Sequence, residues 1–177
     1  MSVERERSNH GRVCDGQRLY ALLQEQAEVA KLLLGAAEEL RDGILERDLA
    51  KIEAAVARES ELSDRLNALE QERAAWVAQW AAAHHLSAEP APALSDILAR
   101  FSEEEAEPIR QAAAALQEAA FELHQVNQLN ADLVSYSLAH VQGLLSALAG
   151  DGETGGLYGP HAAKGDAPWR ALVDWRV

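Results

Sequence analysis

The residues of this chain that could carry chemistry are few and widely spaced. His84 and His85 are adjacent, and adjacent side chains at a helix end point in different directions, so the pair lacks the ligand spacing of a zinc site. Cys14 is the single cysteine, which is typical of a reduced thiol in a cytosolic protein. No nucleophile stands beside a base, and no glycine-rich loop precedes a helix to hold phosphate. The sequence therefore predicts no enzyme, no cofactor and no metal.

Two asparagines are the informative polar residues of the longest helical stretch, residues 108–148. Asn127 and Asn130 interrupt its apolar stripe three residues apart, so both are expected on or beside the seam that faces another helix. A buried amide destabilises a fold unless it is paired, and its best-attested use is to fix register between helices. Core amides bonded within the bundle and amides that set the register of a partner are both open interpretations.

The helix that carries these asparagines is too long to be covered by a small domain. At about 1.5 Å per residue it would extend for about 60 Å. Part of its apolar stripe is therefore expected to be available to a partner. The stripe consists of Ile109, Leu116, Phe121, Leu123, Val126, Leu133, Val134, Leu138, Val141, Leu144, Leu145 and Leu148.

Two earlier helices must pack against this stretch. Apolar periodicity predicts a first helix from Gln17, a turn near residues 43–48 with Asp48 as N-cap, and a second helix from Leu49. A continuous helix through the turn is the alternative, since one glycine, Gly43, costs only about 1 kcal/mol. Two tryptophans, Trp76 and Trp80, are expected to cap the core, with an aromatic docking spot as the alternative.

The connection to the long helix carries clear stop and start signals. Pro90 and Pro92 predict a loop over residues 83–94, after which Ser95 is expected to cap a short helix. The spacing of Ser102 and Glu105 matches a capping box for the long helix, which is expected to kink at Pro108 or to begin nearer Glu105.

These elements predict an all-α, elongated antiparallel bundle of three long helices and one short helix with flexible termini. Its parts would be a disordered leader over 1–16, a helical bundle over 17–149 and a flexible, glycine-rich tail over 150–177. The tail carries a second apolar cluster at Trp169, Leu172, Val173 and Trp175, for which packing onto the bundle is one interpretation.

Charge and hydropathy exclude several classes of partner. The formal net charge of −13 argues against binding to nucleic acid or to anionic membrane surfaces. No segment approaches the roughly 18 consecutive apolar residues of a membrane span, and the charged N-terminus does not resemble a secretory signal. A soluble cytoplasmic protein is expected.

The order of these features resembles the FlgN family, the cytosolic type III export chaperones of the flagellar hook-filament junction proteins. The resemblance covers about residues 17 to 160: the Asp48 turn, a Glu-rich second helix, a proline-containing loop, a short LSDIL helix, then Asn127-Gln128-Leu129-Asn130 and Leu157-Tyr158-Gly159-Pro160. The sequence departs from the family after Pro160, where His161 to Lys164 precede Gly165.

The resemblance implies that the long helix binds the C-terminal amphipathic segments of hook-filament junction proteins. It also implies that the tail, through Leu157, Tyr158, Gly159 and Pro160, docks on the export gate at the membrane, with the export ATPase as a further candidate. Nucleic-acid binding and membrane insertion are not expected. The candidate substrate-binding residues are Leu116, Leu123, Val126, Asn127, Asn130, Leu133, Val134, Leu138, Val141 and Leu145.

A structural protein that self-associates through the same stripe, as a coiled-coil adaptor without an export role, is the competing hypothesis. The alanines at 112–115, 119 and 120 would allow close helix approach in either case. A weak homodimer of the free protein is compatible with both hypotheses.

Overall fold

The computed structural model describes residues 2–86 and 91–149, with side chains described over 16–86 and 91–148. Within these ranges the chain forms four helices and no strand. They are α1 (Ser2–Glu46), α2 (Leu49–Ala83), α3 (Leu94–Leu98) and α4 (Glu103–Ala149). The predicted all-α bundle of three long helices and one short helix is therefore confirmed.

The first helix begins earlier in the structure than the sequence predicts. The backbone of α1 is helical from Ser2, whereas apolar periodicity places the start at Gln17 after a leader. Residues 1–16 lack the apolar periodicity from which the start of the helix was predicted, and the first buried position described in α1 is Gly16. The side chains before Gly16 lie outside the described residues, as do residues 150–177 of the tail.

The turn between α1 and α2 confirms the predicted N-cap. Arg47 adopts a left-handed conformation with φ 58°, and Asp48 then returns to extended backbone. The Asp48 carboxylate accepts a hydrogen bond from the Lys51 amide at 3.1 Å. This satisfies one of the free amides at the start of α2, so the chain reverses within two residues.

Gly43 has a role in this turn that the sequence did not reveal. A Cβ atom at this position would lie 3.0 Å from Ile52 Cγ1 and 3.1 Å from the Ile52 main-chain nitrogen. The α1 helix continues three residues beyond Gly43 to Glu46. The glycine therefore permits the close approach of α2 and does not end the first helix.

α1 is the central helix, because it packs against both α2 and α4 while those two helices have little contact with each other. Ion pairs join Arg18 to Glu72 near one end of the α1–α2 pair and Glu39 to Arg58 near the other. The residue numbers run in opposite directions along this pair, so α1 and α2 are antiparallel.

α4 runs parallel to α1, and two contacts fix its register. A Cβ at Gly16 would lie 3.9 Å from Ile109 Cδ1, and Asn130 bonds to Ala37, so each contact joins residues 93 positions apart. In this register Glu46, the last residue of α1, is level with Ala139 of α4. About ten residues of α4 therefore project past the end of α1, a length of about 15 Å.

The start of α4 confirms the predicted capping box. The Glu105 carboxylate accepts hydrogen bonds from the Ser102 amide at 3.0 Å and the Ser102 hydroxyl at 2.7 Å, and the Glu105 amide donates to Ser102 Oγ at 3.4 Å. Pro108 lies inside the helix. The prediction that Ser95 caps the short helix was wrong, because α3 begins at Leu94 and Asp96 accepts from the Ala93 amide.

The core consists mainly of leucines and alanines from α1 and α4, with leucines, Val77 and Trp80 from α2 and two residues from α3. The alanines at 112, 113 and 119 of α4 are buried in it, as expected for helices that approach closely. Trp80 is buried in this core and Trp76 packs against it, which confirms the core interpretation of the two tryptophans. The largest fully buried side chains are Leu19, Leu22, Leu23, Leu94, Ile97, Ile109, Gln26 and Val29.

Candidate functional site

The long helix α4 has two halves that differ in burial. In its first half most of the apolar stripe is buried in the bundle, and Leu116 and Leu123 are only 3% and 7% exposed, whereas Phe121 is 61% exposed. From Leu129 onward most of the same stripe faces solvent. The exposed apolar side chains of this second half are Leu129, Val134, Tyr136, Leu138, Val141, Leu144, Leu145 and Leu148.

Beyond about Ala139 the exposure follows from the register of α4 on α1. Residues 116, 123, 130, 137 and 144 recur every seven positions, so the face that packs on α1 continues unchanged toward the end of α4. α1 ends at Glu46 and therefore cannot cover that face beyond about Ala139. The stripe from Val141 onward thus continues the core pattern without a second wall. Val134 and Leu138 are exposed although they lie level with the last turns of α1, so they extend the same uncovered surface.

The first part of the uncovered stripe lines a concave surface with the α1–α2 turn, which we call the distal groove. Ile44 from α1, Ile52 from α2 and Arg47 between them form one wall. The opposite wall is a single stretch of α4. It consists of Val134, Tyr136, Ser137, Leu138, His140, Val141 and Leu144.

Charge is scarce in the distal groove although the protein as a whole is strongly acidic. Arg47 and His140 are the only lining residues with a basic side chain. Residues 133–149 of α4 contain no Asp, Glu, Lys or Arg. The groove is therefore suited to the apolar face of another helix, and it does not resemble a site for an ion or a polar small molecule.

Asn130 marks the boundary between the covered and uncovered halves of α4. Its Nδ2 donates a 2.8 Å hydrogen bond to the main-chain carbonyl of Ala37, and the side chain is 5% exposed. Its Oδ1 is buried without a hydrogen-bond partner. Asn127, by contrast, is exposed. The two asparagines therefore lie in different environments, and Asn130 takes part in the contact between α1 and α4.

The structure places the sequence-predicted site residues in several different environments. Leu116, Leu123 and Asn130 are buried in the bundle, while Val126 and Leu133 are half-buried. Asn127 is exposed outside the groove. Val134, Leu138 and Val141 line the distal groove, and Leu145 is exposed one residue beyond its lining. The tail residues Leu157, Tyr158, Gly159 and Pro160 lie outside the described residues.

Sequence reasoning missed the wall that α1 and α2 contribute to the groove. Ile44, Arg47 and Ile52 belong to helix ends that were considered only as turn signals. The N-cap at Asp48 places these three residues at the α1–α2 turn. Their contact with α4 depends on the register of α4, which the sequence does not show.

A second polar cluster, buried between α1 and α2, was also missed. Gln26 is fully buried and donates from Nε2 to Glu70 at 2.9 Å, and Arg73 donates to the same carboxylate at 2.6 to 3.0 Å. Neutralisation of the buried guanidinium by a carboxylate makes this cluster a structural feature of the bundle. Nothing in the charge-rich second helix distinguishes these residues from their solvated neighbours.

His84, at the end of α2, packs against a tryptophan of the same helix. The His84 ring stacks on Trp80 with centroids 4.1 Å apart, and its Nδ1 lies 2.8 Å from the Trp80 carbonyl oxygen. Within the described residues, no group of three or more His, Cys, Asp or Glu is arranged to hold a metal ion. None of the described helices has the length and apolar character needed to cross a membrane.

Comparison with known protein families gives one match. The family model described as FlgN protein matches residues 15–165, which include α1 from its first buried position, all of α2, α3 and α4, and part of the tail. No curated protein and no solved structure shows significant similarity to the chain.

Proposed function

The chain belongs to the FlgN family, a family of flagellar export chaperones, and we propose that it binds its export substrate along the uncovered half of α4 and in the distal groove. The observation that carries this proposal is the exposed apolar stripe from Val134 to Leu148, most of which lies beyond the end of α1. An amphipathic helix is the ligand that such a stripe fits, because its own apolar face would supply the missing wall.

The substrates that we propose are hook-filament junction proteins, recognised through their C-terminal amphipathic segments. These segments would add one helix to the bundle beside α4. The strongly acidic remainder of the chaperone, with a net charge of −13 for the whole chain, would keep the complex soluble. The proposed role requires binding and release alone, so it involves no catalysis, and it would be carried out in the cytoplasm.

The proposed binding surface is smaller than the set of residues predicted from the sequence, because Leu116, Leu123 and Asn130 are buried. These side chains already pack inside the bundle and would contribute to binding only indirectly, by holding α4 against α1. We therefore assign direct contact to Val134, Leu138, Val141 and Leu145, with Val126, Leu133 and the exposed Asn127 at the edge of the surface.

Delivery of the substrate is proposed to depend on the tail, with Tyr158 docking on the export gate together with Leu157, Gly159 and Pro160. This step rests on the FlgN resemblance alone. Binding to the isolated cytosolic part of the export gate tests it: Tyr158→Ala should abolish this binding and leave substrate binding unchanged. Equal binding of the parent protein and of Tyr158→Ala to the export gate would contradict the docking role proposed for Tyr158.

Stoichiometry separates the chaperone proposal from the structural alternative. The same apolar stripe could instead be covered by a second copy of the chain. Light scattering of the purified protein, alone and with C-terminal segments of junction proteins, measures which occurs. We expect a free monomer or weak dimer that forms a 1:1 complex, whereas a stable homo-oligomer that ignores these segments would favour the self-associating bundle.

A further inference from the structure

In the free protein, we propose, the distal groove is occupied by the chain's own C-terminal apolar segment, Trp169 to Trp175. The groove is an unfinished part of the core, with Ile44 and Ile52 on one wall and Val141 and Leu144 on the other. An apolar surface of this kind in water is stabilised by any attached segment that can cover it.

The length of the chain beyond α4 allows this contact. Val141 lies eight residues before the end of α4 at Ala149, a distance of about 12 Å along the helix. Residues 150–168 separate α4 from the apolar segment and include six glycines. A glycine-rich chain of this length has an r.m.s. end-to-end distance of about 24 Å, which is enough to reverse direction and reach the groove.

The sequence of the segment fits the chemistry of the groove. Trp169, Leu172 and Val173 follow the three-and-four spacing of an amphipathic helix, the same kind of ligand that the groove suits. The segment from 169 to 177 contains two arginines and one aspartate, so it is weakly basic while the whole chain is acidic. The lining of the groove contains no acidic side chain, so the contact would be apolar and charge would not direct it. Tethering gives the segment an effective concentration in the millimolar range.

Occupation by the segment would have one consequence that rests on the proposed function. A substrate helix would have to displace the segment, so a weakly bound substrate would be rejected while a well-matched one would bind. The contact itself is independent of substrate and can be measured on the free protein.

Hydrogen exchange of the full-length protein tests the contact through a matched pair of tail variants. Leu172→Asp puts a charge on the apolar side of the segment, and Ala171→Asp puts the same charge on its other side. We expect Leu172→Asp to accelerate amide exchange in residues 134–148 by about tenfold. Ala171→Asp should change it less than about twofold. Exchange in residues 19–37 of the core should stay unchanged in both, which confirms that the bundle is folded.

The reciprocal variant provides an independent measurement from the side of the groove. Val141→Asp should accelerate exchange in residues 169–175 although it lies far from them in sequence. Equal exchange of residues 134–148 in the parent protein and Leu172→Asp would overturn the proposal. The proposal would also be overturned if the protection of residues 134–148 rose with protein concentration and the protein had the mass of a dimer. A second copy of the chain would then occupy the distal groove.

Discussion

The side-chain amide of Asn130 on α4 donates a 2.8 Å hydrogen bond to the main-chain carbonyl of Ala37 on α1. Ala37 lies nine residues before the end of α1 at Glu46, and Asn130 is the last buried residue described on α4. Toward the N-terminus of α4 most of the apolar stripe is buried, and toward its C-terminus most of it is exposed. Asn130 therefore stands where the structural part of the helix ends and the proposed binding part begins.

Asn130→Asp should destabilise the bundle in a pH-dependent way. An ionised carboxylate in this buried position would face the Ala37 carbonyl oxygen, and we expect a loss of about 2 to 3 kcal/mol of unfolding free energy at pH 7. Burial raises the pKa of such a carboxyl, so the folded state binds its proton more tightly than the unfolded state, and stability should recover as the pH falls. Urea denaturation at several pH values measures this.

Asn130→Leu is the apolar counterpart of that variant. It removes one hydrogen bond, worth about 1 kcal/mol, together with a buried Oδ1 that has no partner. We expect unfolding free energy within about 1 kcal/mol of the parent protein or above it. A loss as large as that of Asn130→Asp would show that the amide contributes more to stability than one hydrogen bond.

Gly43 and Gly35 form a matched pair on α1. A Cβ at Gly43 would meet the Ile52 main-chain nitrogen at 3.1 Å, whereas one at Gly35 would have nothing within 4 Å. Gly35→Ala should therefore stabilise the protein by up to about 1 kcal/mol through helix propensity. Gly43→Ala should lower its stability, because the α1–α2 turn must open. Thermal unfolding followed by circular dichroism distinguishes the two, and equal stabilisation would contradict the close approach at Gly43.

Glu59 on α2 should limit stability at neutral pH. Burial raises the pKa of this carboxyl, and its Oε1 is buried without a hydrogen-bond partner. The folded state therefore holds the proton to a higher pH than the unfolded state does, so the contribution of Glu59 to stability decreases as the pH rises from below its ordinary pKa through the raised value.

Glu59→Gln removes this titration. The variant should be more stable than the parent protein at pH 7, and the difference should diminish toward pH 4. Neighbouring Glu61 is exposed and has no comparable burial, so Glu61→Gln is the control and should show little change at either pH. If the gain in stability of Glu59→Gln over the parent protein grew as the pH fell, the pKa of Glu59 would not be raised in the folded state.

Local signals in the sequence were sufficient to predict the three long helices and the caps of α2 and α4, but not the start of α1 or the cap of α3. Asp48 and the Ser102–Glu105 pair were identified correctly because capping depends on residues within one turn of each other. The role of Gly43 was not predictable from local signals, since it depends on the close approach of Ile52 on the next helix, which a Cβ at position 43 would contact. The same limit applies to Gln26, Glu70 and Arg73, whose burial depends on how α1 and α2 pack.

The candidate site could be predicted only as a stripe, because its extent is set by the register of two helices. The three-and-four spacing of α4 is the same before and after Asn130, so Leu123 and Val141 look equivalent in the sequence. The end of α1 at Glu46 decides that Leu123 is core and Val141 is exposed. The contribution of Ile44 and Ile52 to the groove follows from the same register.

The most direct measurement of the central claim is the affinity of two equally exposed variants for a C-terminal segment of a hook-filament junction protein. Val141 in the distal groove and Val56 on α2 are 50% and 49% exposed, so Val141→Asp and Val56→Asp introduce the same charge at similar cost to folding. Isothermal titration calorimetry should give at least about 100-fold weaker binding for Val141→Asp, because the charge would be buried under the substrate helix. Val56→Asp should bind as the parent protein does, and equal affinity of the two variants would contradict a binding site on the uncovered half of α4.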